Sequence, residues 1–198
     1  MTGQISTASI STVVGNPKPG SRTLGAATTL AQALAPAVWD GEVNHTEVNH
    51  TVVDLATIAG GLLAPWLLSP EAKSAAETVR TSGVLVIATP TYKASYTGLL
   101  KLFLDVFPAG SLSQAVVVPL IVSGGPAHRH LGDLQLRPVL SELGAVLPAP
   151  SLLLEEPELP QLDQLVGAYV SRYGPLLAAA VSALAAVSNA EIKEKSNV

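Results

Sequence analysis

The sequence of 198 residues contains no cysteine, and this absence removes several kinds of chemistry at once. Disulfides, zinc–thiolate sites, iron–sulfur clusters and thiol nucleophiles all require cysteine. Any redox chemistry must therefore come from a cofactor rather than from the chain's own sulfur.

Charge is also scarce. Asp, Glu, Lys and Arg make up 13% of the chain and hydrophobic residues 48%, against roughly 25% charged residues in an average soluble domain. This composition excludes an intrinsically disordered chain. The net charge is −4 and no run of Lys and Arg is present, so nucleic acid is not an expected partner.

Long apolar runs are missing as well. The most apolar stretch, 175–187, is largely alanine and falls well short of the roughly 20 residues that span a bilayer. We expect it to form a helix packed on protein, with no membrane partner. Residues 1–9 are rich in Ser and Thr and have no basic start, which predicts a cytoplasmic protein. The length predicts one domain over 1–188 and a polar tail over 189–198.

Strand-like and helix-like segments alternate along the chain. Strands are predicted at 8–14, 48–55, 84–88, 115–122 and 146–154, and helices from about Arg22 and over 70–81, 98–107, 131–143 and 161–187. The Gly174-Pro175 pair is expected to break or kink the last helix. This alternation predicts a doubly wound α/β domain, with a five-stranded parallel sheet of order 2-1-3-4-5 and helices on both faces.

Such sheets bind ligands beyond the carboxyl ends of their strands, at the point where the strand order reverses. The loops to inspect are therefore 15–22, 89–97 and 123–130. Four of the eleven cations fall in or beside them: Lys18, Arg22, Lys93 and Arg129. The sequence places no carboxylate beside these cations, which favours an anionic ligand.

The first of these loops has the features of a phosphate site. Pro and Gly residues hold its backbone open, and Ser21 and Thr23 offer hydroxyl groups at the start of the first predicted helix. The N–H groups of a first helical turn and the positive end of the helix favour an anion. The alternative is an ordinary strand-to-helix turn that binds nothing.

The second and third loops are suited to a planar ligand. Pro90 and Tyr92 supply a rigid backbone edge and an aromatic surface, although tyrosines in a subunit contact are the alternative. The Gly124-Gly125 pair after Ser123 lets a flat ligand approach the backbone, unless it forms only a tight turn. His128 and His130 follow, and such histidines are more often structural than catalytic.

A tandem duplication of five residues covers 42–46 and 47–51. Its two histidines, His45 and His50, have no second pair at metal-ligand spacing, so no metal site is predicted. An edge strand or an exposed hairpin is the interpretation we adopt. The sequence assigns the duplication no function.

Residues 88–101, ATPTYKASYTGLLK, resemble the T-P-x-Y-x-x-x-Y-S/T-G-x-L-K segment of a family of flavodoxin-like proteins, the NADPH-dependent FMN reductases. The resemblance is to the branch that supplies reduced flavin to two-component sulfonate monooxygenases. Residues 15–23 are similar to the family's G-S-x-R-x-x-S-x-T loop, and 137–140 resemble its L-x-P-V-L helix. The chain departs from the pattern at Asn16, where Ser is usual, and at Lys18, where Arg is usual.

The resemblance implies a set of FMN-binding residues. It gives the phosphate to Asn16, Lys18, Ser21, Arg22 and Thr23, and the flavin ring to Pro90, Thr91, Tyr92, Lys93, Ser123, Gly124 and Gly125. No catalytic side chain is assigned, because the hydride chemistry occurs on the flavin. Lys93 and Arg129 are candidates to stabilise the charge of reduced flavin.

The implied function is transfer of hydride from NADPH, or alternatively NADH, to FMN, with reduced FMN passing to a partner monooxygenase. A quinone or azo-compound reductase with tightly bound FMN is one alternative, and a non-catalytic electron carrier is another. The apolar helix 98–107 and the low charge predict a homodimer or homotetramer. The interface is expected near this helix and near Tyr96, which the resemblance associates with a helix irregularity.

Overall fold

A computed structural model describes residues 6–39, 48–64 and 66–196. Within these residues one sheet is formed by β1 Ser6–Val14, β2 Asn49–Asp54, β3 Ser82–Pro90, β4 Val116–Ser123 and β5 Leu152–Glu155. The strand order is β2-β1-β3-β4-β5 and every pairing is parallel. The predicted order and direction are confirmed.

Helices cover both faces of the sheet, as predicted. They are α1 Arg22–Trp39, α2 Pro70–Arg80, α3 Gly98–Leu104, α4 Leu131–Glu142 and α5 Leu162–Ser196. The core residues of α1 and α5 cluster on one face, whereas those of α2, α3 and α4 cluster on the other.

The two central strands explain this layering. All residues of β3 and β4 are buried, because both are apolar runs enclosed by helices on each side. Successive side chains of a strand point to opposite faces. Val84 and Val86 accordingly join the cluster with α1 and α5, and Leu85 and Ile87 join the opposite one.

Two predicted elements are too long. The fifth strand was predicted from 146, but β5 begins at Leu152 and only Val146 bridges to β4 before it. Pro148 and Pro150 lie between and have no N–H to donate to a sheet. Helix α3 ends at Leu104 instead of 107, shortly before Pro108.

Of the predicted break or kink at Gly174-Pro175, the break is wrong, because α5 is continuous through this pair. Pro175 has no N–H to donate to the Ser171 carbonyl, and both residues lie on the exposed side of α5. Gly174 is buried, and a Cβ there would lie 3.3 Å from the Ala37 Cβ. The glycine thus allows close packing of α5 on α1. The helix also continues through 189–196, the segment predicted as a polar tail.

One face of α5 is buried and the other is exposed. Val166, Tyr169, Leu177 and Val181 belong to the core shared with α1, as expected for an apolar segment packed on protein. Residues 156–190 are also long and apolar enough to span a bilayer by length and composition alone. In the most apolar window of this stretch, 17% of the residues are buried inside the protein.

Much of the duplication lies outside the described residues. Its second copy ends in β2, where His50 Nε2 lies 2.9 Å from the Thr12 Oγ1. Burial lowers the pKa of His50, so its neutral form is favoured. The described part of the chain contains no group of three or more His, Asp or Glu residues placed to hold a metal ion.

Candidate functional site

The structure brings the three predicted loops together at the carboxyl edge of the sheet. The Gly15 N–H donates to the Ala88 carbonyl at 2.8 Å, which links the end of β1 to β3. The Thr91 N–H donates to the Val122 carbonyl at 2.9 Å, which links the end of β3 to β4. The loops therefore form one contiguous surface at the reversal of strand order.

The first loop is organised by its own side chains. Buried Asn16 donates through Nδ2 to the Thr23 Oγ1 at 3.2 Å and accepts the Lys18 N–H at 2.9 Å. Gly20 has a φ of +62°, a left-handed conformation that glycine adopts without strain. Its N–H donates to the Asp54 Oδ2 at 3.1 Å, which ties the loop to the end of β2.

The start of α1 leaves backbone donors available for an anion. Ser21 Oγ accepts the Leu24 N–H at 3.2 Å, in the N-cap role predicted from the sequence. The N–H groups of Arg22 and Thr23 have no acceptor among the described residues. These N–H groups, together with the positive end of the helix, are what this loop can offer a phosphate.

The expectation that carboxylates stay away from the site cations is wrong. Arg22 forms an ion pair with Glu156 at 2.8 Å, and Arg129 pairs with Glu155 at 2.9 Å and with Glu158 at 3.1 Å. All three carboxylates come from the end of β5 and the 3-10 segment Glu156–Gln161. They lie far from the loops in sequence, which is why spacing along the chain did not reveal them.

Arg129 is held within the protein framework. Besides its two carboxylate partners it donates to the Leu153 carbonyl at 2.9 Å. The hydrogen bond that Arg129 donates to the Glu155 carboxylate is the largest cause that raises the pKa of Arg129. The hydrogen bond that the Glu155 N–H donates to Glu158 lowers the pKa of Glu158. Since these carboxylates neutralise Arg129, the structure does not favour it as a stabiliser of reduced flavin. Lys93 remains exposed.

Thr97 ties the second loop to the first and was missed by the sequence analysis. Its hydroxyl donates to the Gly15 carbonyl, and its Oγ1 accepts the Leu100 N–H at 3.2 Å as the N-cap of α3. Its own N–H donates to the Thr89 Oγ1 at 3.1 Å. A threonine directly before a helical segment is an N-cap signal that would have identified it.

The segment Tyr92 to Ser95 is a tight turn with an unusual backbone. The Tyr92 N–H donates to the Ser95 carbonyl at 2.8 Å, and the Ser95 N–H to the Tyr92 carbonyl at 3.0 Å. Lys93 and Ala94 have φ values of +49° and +65°. Two successive positive φ values are typical of a type I′ hairpin turn, which prefers Asn-Gly. For other L-residues the left-handed conformation costs roughly 1–2 kcal/mol each.

Gln135 of α4 holds this turn in place. Ser95 Oγ donates to the Gln135 Oε1 at 2.5 Å, and Gln135 Nε2 donates to the Ala94 carbonyl at 3.0 Å. These contacts join residues about 40 positions apart. No local pattern in the sequence marks Gln135.

The third loop leaves room for a flat ligand. A Cβ built at Gly124 or Gly125 would meet no atom within 4 Å. The φ of Gly125 is 169°, an extended conformation open to any residue, so these glycines provide space and not a special turn. Ser123 is buried, and its hydroxyl lies 3.3 Å from the Gly125 carbonyl and 3.4 Å from the Leu154 carbonyl.

Thr91 is directed away from the open side of the loops. Its Oγ1 is buried and has no hydrogen-bond partner among the described residues. It lies 3.2 Å from where a Cβ would stand on Gly132 in α4. The Thr91 side chain is therefore directed toward α4.

Helix α3 differs from the sequence expectation in two ways. It is a regular α-helix that begins after its cap, so the irregularity expected near Tyr96 is not there. Leu100, Phe103 and Leu104 are buried in this subunit's own core, which explains the apolar composition without a second subunit. Tyr96 and Leu99 remain partly exposed.

One cleft lies beside the edge strand β2, and Asp54 in its lining also borders the first loop. This cleft of about 500 Å³ separates β2 from α2, and its lining includes Thr51, Val52, Ser74 and Thr78. At the carboxyl edge of the sheet, Lys18, Arg22, Lys93 and Gly124 are exposed, so the three loops present an accessible surface.

A doubly wound parallel sheet of order 2-1-3-4-5, with ligand loops after β1, β3 and β4, defines the flavodoxin-like class of α/β proteins. A model of the NADPH-dependent FMN reductase family matches residues 8–156, and the chain belongs to that family.

Individual relatives agree with this assignment. The FMN reductase (NADPH) of Escherichia coli K12 is 44% identical over 77 residues, which are 39% of this chain and 40% of that protein. The NADH-dependent FMN reductase SfnF of Pseudomonas fluorescens Pf0-1 is 32% identical over 40% of this chain and 42% of its own. The match thus spans about two fifths of the length of these relatives.

A solved structure extends the similarity over most of the fold. The apo form of the NADH:FMN oxidoreductase EMOB superposes with a TM-score of 0.67 at 28% sequence identity. The superposition covers 81% of this chain and 87% of that one.

Proposed function

We propose that this protein is an NAD(P)H-dependent FMN reductase that uses FMN as an exchanging substrate. The observation that carries the proposal is the pair of uncommitted N–H groups of Arg22 and Thr23 at the positive end of α1, together with the open backbone of Gly124 and Gly125 at the same edge of the sheet. The first feature suits a phosphate and the second a planar ring. Membership of the FMN reductase family supports the same ligand.

The proposed roles of the residues follow from this arrangement. Asn16, Lys18, Ser21, Arg22 and Thr23 surround the phosphate, with Asn16 and Thr23 shaping the loop through their mutual hydrogen bond. Pro90, Thr91, Tyr92 and Lys93, with Ser123, Gly124 and Gly125, flank the ring. Bound FMN supplies the hydride-accepting chemistry. The chain's contribution is to bind, orient and expose one face of the ring.

The carboxylates around the site favour release of FMN over permanent binding. Arg22 is paired with Glu156, and Arg129 is paired with Glu155 and Glu158. Asp54 borders the first loop. A phosphate dianion therefore enters a surface on which two of the four loop cations are already paired with carboxylates. A weak hold on FMN suits delivery of reduced flavin to a partner monooxygenase.

Several further features are part of the proposal. NADPH is the proposed hydride donor, and NADH is the alternative that the name of the relative SfnF raises. We propose a homodimer or homotetramer with Tyr96 and Leu99, both partly exposed, near the interface. The proposed location is the cytoplasm, where NAD(P)H is supplied, and 1–188 are proposed to act as one domain.

NADPH oxidation in air by the purified protein tests the proposal. The rate is measured by absorbance without addition, with catalytic FMN, and with FMN in large excess over protein. A rate that saturates only well above the protein concentration supports FMN as substrate. A yellow protein that oxidises NADPH only with a quinone or azo dye indicates the tightly bound alternative. Binding of FMN without NADPH oxidation indicates an electron carrier, and no FMN binding refutes a flavoprotein.

A further inference from the structure

The turn Tyr92 to Ser95 combines backbone strain with an external clamp. Lys93 and Ala94 both occupy the left-handed region, with φ of +49° and +65°, which L-residues adopt rarely. Both are exposed, so no packing of their side chains enforces this conformation. The two turn hydrogen bonds between Tyr92 and Ser95 alone would have to hold it.

The clamp comes from a different element. Gln135 on α4 accepts a hydrogen bond from the Ser95 hydroxyl at 2.5 Å and donates one to the Ala94 carbonyl at 3.0 Å. Gln135 is therefore hydrogen-bonded to both a side chain and a backbone group of the same turn. Helix α4 is itself anchored in the core through Leu136 and Leu140, which fixes the backbone that carries the exposed Gln135 side chain.

We infer that Gln135 is a positioning residue for flavin binding: it holds the strained turn so that Tyr92 and Lys93 stay at the edge of the ring. The inference rests on the proposed function, because that function places Tyr92 and Lys93 beside the flavin. It extends the function to a residue outside the three ligand loops. The turn needs this support because Ala94 adopts a positive φ at a cost in free energy. A glycine in place of Ala94 would adopt the same φ without that cost.

A rescue experiment separates this role from a general effect on folding. FMN and riboflavin binding are measured by flavin fluorescence for the parent, for Gln135→Ala and Gln135→Glu, for Ala94→Gly, and for the double variant Gln135→Ala with Ala94→Gly. Glutamate keeps the size of glutamine but has no N–H to donate to the Ala94 carbonyl. Gln164→Ala, a change at an exposed position on α5, is the matched control.

Loss of the clamp should weaken ring contacts and leave phosphate contacts intact. We expect Gln135→Ala and Gln135→Glu to raise the Kd for FMN and for riboflavin alike, by about fivefold, the effect of one or two net hydrogen bonds. The visible circular dichroism of bound flavin should change as well. Ala94→Gly should restore the Kd in the Gln135→Ala background to within about twofold of the parent.

Each other outcome overturns the inference. If Gln135→Ala and Gln135→Glu bind both flavins as the parent does, the clamp has no role in binding. If the Gln135 variants lose affinity for FMN but not for riboflavin, the turn does not contact the flavin ring. If Ala94→Gly fails to restore affinity, relief of strain is not the mechanism. A parent protein that binds neither flavin refutes the proposed function itself, and the binding of both flavins by the parent distinguishes that case from the others.

Discussion

The guanidinium of Arg22 and the carboxylate of Glu156 form an ion pair across the candidate site, with Nη2 2.8 Å from Oε1. The pair joins the first turn of α1 to the segment after β5. Both side chains are largely exposed, at 67% and 46%, so the pair adds little to stability. Its position has another consequence, because the Glu156 carboxylate is paired with Arg22, the cation that is proposed to bind the flavin phosphate.

Glu156→Gln should therefore strengthen FMN binding. The change removes both the competition for Arg22 and the repulsion between a carboxylate and a phosphate dianion, which together are worth about 1 kcal/mol, or roughly fivefold in Kd, at low salt. Riboflavin has no phosphate, so its affinity should stay the same. Fluorescence titration of both flavins measures this, with Glu142→Gln on the exposed end of α4 as the control. Equal gains for both flavins would contradict the electrostatic explanation.

Arg22→Ala should have the opposite effect on the same two ligands. If Arg22 meets the phosphate, FMN affinity should fall by about tenfold, typical of one charge-assisted hydrogen bond, and riboflavin affinity should be unchanged. Adding salt should narrow the gap between the parent and the variant, because exposed charges are screened. Identical affinities of the parent for FMN and riboflavin would show that Arg22 does not bind the phosphate.

Thr97→Ala should destabilise the protein, whereas Thr97→Ser should not. The alanine variant loses the N-cap of α3 and leaves the buried Gly15 carbonyl without its donor, at a cost of about 1–3 kcal/mol. Serine keeps the hydroxyl that makes both bonds. Urea unfolding followed by far-UV circular dichroism gives the difference. Equal stability of the alanine and serine variants would show that the hydroxyl is not what matters.

Helix α3 allows core packing and subunit contact to be tested separately. Phe103 is completely buried in its own subunit, so Phe103→Ala should cost about 3–5 kcal/mol of folding free energy and would not report on an interface. An aspartate at Phe103 would likewise disrupt the core of the subunit and would not report on assembly. Leu99 is partly exposed, and Leu99→Asp should increase the elution volume in size-exclusion chromatography. An unchanged volume with intact folding would move the interface elsewhere.

The ion pairs of Arg129 predict how stability depends on pH. The hydrogen bond from the Glu155 N–H lowers the pKa of Glu158, with Arg129 as a further cause. A carboxylate whose pKa is lower in the folded state stabilises the protein above its unfolded pKa, and this contribution is lost as pH falls. The melting temperature of the parent should therefore fall more steeply below about pH 4.3 than that of Glu158→Gln. Parallel curves would show that Glu158 contributes no such linkage.

The architecture was predictable because it depends on local patterns. Continuous apolar runs such as 84–88 mark strands buried on both faces, and their alternation with helical segments specifies a parallel sheet and its crossovers. The element ends were less predictable. The prolines at 148 and 150 shorten β5, and Gly174-Pro175 is tolerated within α5 because one side of that helix faces water.

The sequence by itself determined the sheet order, the three loops at its carboxyl edge and the Ser21 cap, since each follows from residues close together in the chain. Only the tertiary structure decided the electrostatics of the site and the support of its turn. Glu155, Glu156, Glu158 and Gln135 reach the loops from β5, the segment after it, and α4. Charge and hydrogen-bond partners act through distance in space, and packing of the sheet and helices fixes those distances.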